Sequence, residues 1–163
     1  MLDQDATVFT YCYSRTVFAI LKQAQQKGHK IQVLLPETRP NFTGRLMAKA
    51  LLEAEIPVTF FPDILSYEQM KRADLFLFGV DFMAPDGRIL NKAGTATLVQ
   101  LARQLKVPTF ACTSPKKTVS LEAFLAAQKL TRPSSELWPD APDSPNLTLL
   151  SPAYDLVDGV DIW

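Results

Sequence analysis

The sequence predicts an α/β fold, a parallel sheet with helices on both faces. Three observations carry that expectation. Strand-like and helix-like stretches alternate from residue 6 to residue 113, the order that builds a parallel sheet covered on both sides. The stretch "DLFLFGV" (74–80) is apolar at nearly every position, as a strand buried on both faces is. The chain has 163 residues, the length of a single domain, 1–163, able to bury roughly two thirds of its unfolded surface.

The elements follow in order. "ATVFTY" (6–11) is a short β-rich run. Over 14–27, Val17, Ile20, Leu21 and Ala24 recur at helical spacing, and Gly28 stops the helix. "KIQVLL" (30–35) is the second strand, ended by Pro36. "GRLMAKALLEAE" (44–55) sets Leu46, Met47, Ala50, Leu51 and Ala54 on one helical face. "PVTFF" (57–61) is the third strand. "SYEQMKR" (66–72) reads as a short helix capped by Ser66, with Glu68 in its first turn. After the fourth strand, "APDGRIL" (84–90) holds a Pro-Asp-Gly turn. A helix over 95–106 and a fifth strand over 108–113 complete the alternation. Beyond them, 121–130 reads as a helix and the proline-rich 131–146 as irregular. The run 147–157 reads as one more strand followed by a turn.

Composition narrows the function classes. Lys plus Arg equals Asp plus Glu, 17 each, so no basic excess marks a nucleic-acid surface. Two cysteines are too few for a disulfide framework, which points to a reducing cytoplasm. The acidic start "MLDQDATVF" is not a secretory leader, and no apolar run reaches the roughly 18 residues of a membrane span. The expectation is a cytoplasmic protein without a direct nucleic-acid or membrane partner.

Parallel sheets bind ligands outside the carboxyl ends of their strands. The residues just after strands therefore matter: Cys12, Glu37 to Arg39, Asp63, Asp81, and Thr113 to Lys117. Cys12 precedes a helix, whose N-terminal amides, aided by Arg15, favour a thiolate. Cysteine is also a common core filler, and local sequence leaves both readings open. Asp81 follows the buried strand; burial raises a carboxyl pKa and suits it to acid–base work, although an Asp bracing the next loop reads the same. Gly79 is expected to keep the backbone clear for a ligand. In "NKAGT" (91–95), Lys92 offers a cation, Asn91 a donor and an acceptor, and Gly94 and Thr95 amides at a helix start, a natural anion site. A plain capped helix start explains Thr95 equally well. Arg39 and Arg45 lie in the polar loop 36–45. The lone histidine, His29, sits in a helix-to-strand turn at the opposite end of the sheet from Cys12. No metal-ligand spacing, no G-x-G-x-x-G and no Ser–His–Asp set is present, so no metal and no cofactor is expected.

Taken together, "TYCYSRTV", "ETRPNFTGRLMAKALLEAEIPVTFF", "GVDFMAPDGRILNKAGT" and "SPAYD" resemble the translation initiation factor 2B alpha/beta/delta family. Methylthioribose 1-phosphate isomerase and ribose 1,5-bisphosphate isomerase belong to the same superfamily. The resemblance covers residues 6–115 and resumes at 151–155. It implies a Rossmann-like sheet of the kind shared with ribose-5-phosphate isomerase and CoA transferases. In the isomerase branch a Cys and an Asp interconvert the aldose and ketose forms of a sugar phosphate; Cys12 and Asp81 match them. Asn91 and Lys92 match the pair that holds the substrate near the Asp, and Ser14, Arg15, Arg39, Gly94 and Thr95 complete the expected binding set. Many initiation-factor subunits have lost one or both catalytic residues, so keeping both favours the sugar-phosphate branch. The resemblance also implies a homodimer or larger oligomer, with Trp138 and Trp163 as exposed contacts, and a phosphorylated sugar or nucleotide-derived metabolite as ligand. The alternative it implies is a non-catalytic regulatory or assembly subunit of the translation initiation kind. The family's N-terminal helical domain is expected to be absent from this chain, as is the further strand that normally follows "SPAYD".

Overall fold

A computed structural model describes residues 2–163. Strands β1 (Ala6–Tyr11), β2 (Ile31–Pro36), β3 (Val58–Phe61) and β4 (Leu75–Gly79) alternate with helices α1 (Arg15–Gln26), α2 (Thr43–Glu53) and α3 (Ser66–Met70). A short excursion, β5 (Phe82–Met83) and β6 (Ile89–Lys92), leads into α4 (Thr95–Leu105) and β7 (Thr109–Cys112). Then come α5 (Leu121–Gln128), α6 (Ser134–Leu137), β8 (Tyr154–Val157) and β9 (Asp161–Ile162).

The main sheet has six parallel strands in the order β3-β2-β1-β4-β7-β9. The chain leaves β1 in one direction and returns beside it in the other, so the strand order reverses between β1 and β4. That reversal opens a crevice above their carboxyl ends. Alternation along each strand divides the core in two. Val8, Val33, Leu35 and Leu77 face Val17, Leu21, Met47 and Leu51 of α1 and α2. Phe9, Leu34, Phe76 and Phe78 face Met70, Leu98, Val99 and Ala102 of α3 and α4. Both faces of β4 are covered, which explains its unbroken apolar sequence; β1 and β2 are mostly apolar, interrupted by Thr7, Thr10 and the exposed Gln32.

Four departures from the sequence reading appear in the structure. The Pro-Asp-Gly turn joins two strands of a separate antiparallel sheet, β5-β6-β8, so β8 lies not in the main sheet but against Asn91 and Lys92. Residues 147–150 are not part of that strand, which begins only at Tyr154. A further strand does follow "SPAYD": β9 pairs parallel with β7, and Trp163 stacks on Phe110 with ring centroids 5.0 Å apart. Ser66 starts α3 rather than capping it; Leu65 is its N-cap, and Ser66 is buried. No helix among the described residues is long and apolar enough to cross a membrane.

Candidate functional site

A cavity of about 570 Å³ opens where the strand order reverses. Cys12, Ser14, Arg15, Asp81, Asn91 and Lys117 all border it. The thiol at the end of β1 and the carboxyl just past β4 therefore share one rim, brought there by the parallel register Tyr11 to Phe78.

Cys12 adopts a left-handed backbone, φ 66, a conformation that a non-glycine residue holds only where its surroundings impose it. Thr38 of the β2–α2 connection and Thr43, the first residue of α2, supply them. The Cys12 amide donates to Thr38 Oγ1 at 3.1 Å, and the thiol lies 3.1 Å from Thr43 Oγ1. Thr38 is itself left-handed, φ 61, and its amide and that of Arg39 donate to Asp63 at 2.8 and 2.6 Å. The Asp63 expected at the site thus braces the loop that holds Cys12.

The thiol pKa is raised, not lowered as helix proximity suggested. Burial dominates, and the nearby Asp81 charge adds to it; hydrogen bonds from Thr43 and the Tyr13 amide and the charge of Lys92 oppose it. Ser14, not Cys12, is the N-cap of α1: its Oγ accepts from the Val17 amide at 3.3 Å. Asp81 is raised too, through burial, with Lys117 and Lys92 opposing. At neutral pH the rim therefore holds a protonated thiol beside a carboxyl that gives up its proton less readily than usual.

Asn91 and Lys92 are buried on β6. The Asn91 amide donates to Thr95 Oγ1 at 3.0 Å, and that hydroxyl donates to the Lys92 carbonyl at 2.6 Å. Lys92 is only 6% exposed, and its Nζ meets no hydrogen-bond partner among the described residues. Burial lowers its pKa. A buried ammonium without a partner is costly, and here it lies within electrostatic reach of Cys12 and Asp81.

Gly94 and Thr95 take a different part from the one expected. The anion at the α4 N-terminus belongs to the protein: Asp155 Oδ2 accepts from the Gly94 and Ala96 amides at 2.8 and 3.0 Å. The Thr95 hydroxyl is spent on its own turn. Gly94 has φ +102, and a Cβ there would lie 2.5 Å from the Tyr11 hydroxyl, which donates to the Ala93 carbonyl at 2.8 Å. Gly79 borders the cavity and makes room for Ser14, since a Cβ there would meet Ser14 Oγ at 2.5 Å. Arg39 does not border the cavity; its exposed guanidinium lies 4.7 Å from the Phe42 ring, with Arg45 at 3.9 Å. Sequence reasoning marked 113–117 only as a segment and passed over Thr38 and Thr43 as residues with a role of their own. The strand-end position of "TSPKK" was the available signal for Lys117. No group of three His, Cys, Asp or Glu side chains among the described residues is placed to hold a metal.

Comparison with known proteins agrees with this architecture. A methylthioribose-1-phosphate isomerase of Pelotomaculum thermopropionicum is 31% identical over 100% of this chain and 45% of its own length. A ribose 1,5-bisphosphate isomerase of Thermococcus kodakarensis is 26% identical over 95% of this chain and 49% of its own. Among solved structures, the translation initiation factor eIF-2B subunit delta of A. fulgidus superposes with a TM-score of 0.82 at 25% identity, covering 94% of this chain and 49% of that one. The chain spans about half the length of the curated relatives it matches. The family model of the initiation factor 2 subunit family matches residues 1–159, and the chain belongs to that family.

Proposed function

We propose that the cavity binds a phosphorylated sugar and interconverts its aldose and ketose forms, with Cys12 and Asp81 as the two proton carriers. The observation that carries this reading is their meeting on one rim, both with raised pKa, beside an unpaired buried ammonium. A furanose 1-phosphate has no free anomeric hydroxyl. Opening its ring therefore requires a proton on the ring oxygen as the bond to C1 breaks. Hydrogen then moves from C2 to C1 while the C2 hydroxyl loses its proton, leaving a C2 carbonyl and an intact phosphate ester. One proton enters at the ring oxygen and one leaves at O2, so an acid and a base are needed together. Burial holds the proton on the Cys12 thiol and makes the Asp81 carboxylate a stronger base than an exposed one. Lys117 and Arg15 border the cavity and supply positive charge for phosphate, Asn91 shares its wall with Asp81, and the Lys92 charge behind the wall acts on both Cys12 and Asp81.

Incubation with ribose 1,5-bisphosphate and with methylthioribose 1-phosphate tests the reading. Turnover of either is expected, falling about 10²- to 10⁴-fold in Cys12→Ser and Asp81→Asn. No turnover of either by the wild type counts against catalysis.

A second reading, a regulatory or assembly subunit acting as a homodimer or larger oligomer, draws on exposed apolar side chains: Ile64 is 87% exposed, Leu52 61% and Leu46 55%. Trp138 is exposed as well, and so is Trp163, although one face of its ring stacks on Phe110. Light scattering that finds a strict monomer sinks this second reading.

A further inference from the structure

We propose that Thr43 is a positioning residue: its hydroxyl fixes the Cys12 thiol and hydrogen-bonds it in both of its protonation states. The inference deepens the reading of Cys12 as a proton carrier and rests on it. The thiol sits 3.1 Å from Thr43 Oγ1, inside the range for a sulfur hydrogen bond. Either atom can be the donor, and that is the point. A hydroxyl accepts from S–H when the sulfur is protonated, and rotates to donate when it is a thiolate. A carboxylate or an ammonium in its place would favour one state only.

The geometry around Thr43 limits its freedom. It is the first residue of α2, directly after Phe42, which is left-handed at φ 55 and gives the helix no side-chain cap. Gly44 follows under a tight constraint: a Cβ there would lie 2.2 Å from the Pro36 carbonyl oxygen. The helix start is thus pressed against the end of β2, and Thr38 of the same connection holds the Cys12 amide. One loop grips both the backbone and the sulfur of Cys12. The other titratable groups acting on or from the thiol are Asp81 past β4, Lys92 on β6, Tyr11 on β1 and Tyr154 on β8. None of these is touched by a change at Thr43.

Cys112 is the contrasting thiol. It is 1% exposed in the apolar core against α1 and α2, and burial alone pushes its pKa to about 12.

The test is the pH dependence of Cys12 alkylation by iodoacetamide in the full chain, located by mass spectrometry, in wild type, Thr43→Val and Thr43→Ser. Loss of a hydrogen bond to a charged sulfur moves the midpoint up by about one unit or more. Thr43→Val is therefore expected to alkylate about tenfold more slowly at pH 8, while Thr43→Ser stays within about twofold of wild type. An unchanged midpoint in Thr43→Val, or an equal shift in Thr43→Ser, overturns the proposal. Should Thr43→Val not fold, infrared spectroscopy of the wild type decides. The S–H stretch that disappears in Cys12→Ser is expected below that of Cys112; a stretch at the same frequency overturns it. Neither measurement uses a substrate, so absent turnover would sink the isomerase reading without touching this result.

Discussion

The parallel strands end in cavities of nearly equal size on opposite rims, about 540 Å³ at the amino ends and about 570 Å³ at the carboxyl ends. Both contain aspartates. At the amino rim they are spent on the fold: Asp74 Oδ2 accepts from the Thr7 amide at 2.7 Å, and Asp5 Oδ1 accepts from the Lys30 amide at 2.8 Å. Each closes an amide left open where a strand begins. At the carboxyl rim Asp63 and Asp155 are spent on backbone amides in the same way, but the groups at and behind the cavity wall are not. Asp81 is half-buried with a raised pKa, Cys12 likewise, and Lys92 is buried without a partner. Volume does not separate the two rims; the difference lies in whether charged groups stabilise the fold or burden it. Groups that burden a fold mark a site built for something else to fill.

That contrast predicts opposite signs for substitutions at the two ends. The largest effect is expected at Lys92. Lys92→Met keeps the length of the side chain and removes an ammonium enclosed without a partner. Thermal unfolding should show the variant about 1–3 kcal/mol more stable than wild type at pH 7. With its pKa depressed, the native amine gives up its proton more readily as pH rises, so the gain should shrink toward alkaline pH. Binding of ribose 1,5-bisphosphate, measured by calorimetry, should weaken about 10- to 100-fold. A variant less stable than wild type would erase the distinction between the rims.

The two cysteines sharpen the comparison within the carboxyl ends themselves. Both follow or end parallel strands, yet Cys112 is enclosed by hydrocarbon and titrates at about 12. An unfolded thiol titrates near 8.5. A group whose folded pKa is raised contributes fully below the unfolded value and loses that contribution as pH rises through the folded one. Stability should therefore fall between about pH 9 and 12, by up to about 1.4 kcal/mol per unit from this group. Cys112→Ala should flatten that slope in urea titrations at pH 9 to 10.5. An equal slope in both proteins would mean that burial does not hold the proton.

How much of this was legible follows from which interactions are local. The main sheet could be read because each strand is an apolar run and each helix has its own periodicity. The small sheet could not: β5 is two residues, too short for any period, and β8 finds its place only by pairing with Asn91 and Lys92; β9, two residues at the edge of the main sheet, escaped for the same reason as β5. Cys12 and Asp81 were visible as strand-end residues. The occupant of the α4 N-terminus was not, since Asp155 lies about sixty residues further on and reaches Gly94 only in the folded chain. The same reason hid Thr43, whose value depends on a sulfur on another strand. The direction of the Cys12 pKa was misjudged because helix proximity is a sequence property and burial is not.

The smallest effect is expected at the amino rim, at Asp74. Its carboxylate is exposed and its hydrogen bond to the Thr7 amide is a surface one. Such a bond contributes about 1 kcal/mol, and water can take its place at the amide. Asp74→Ala should accordingly lower stability by about 0.5–1.5 kcal/mol in urea titration. The Thr7 carbonyl, which accepts from the Asp74 backbone amide at 2.8 Å, keeps that partner in the variant, so the strand start is loosened on one side only. Hydrogen exchange should report the loss at Thr7 and leave the Cys12 end of β1 protected. Alkylation of Cys12 should be unchanged, because β1 is held along its length by pairing with both β2 and β4. Faster alkylation in Asp74→Ala would show that the two rims are coupled through the strand, and that the amino end takes part in holding the thiol.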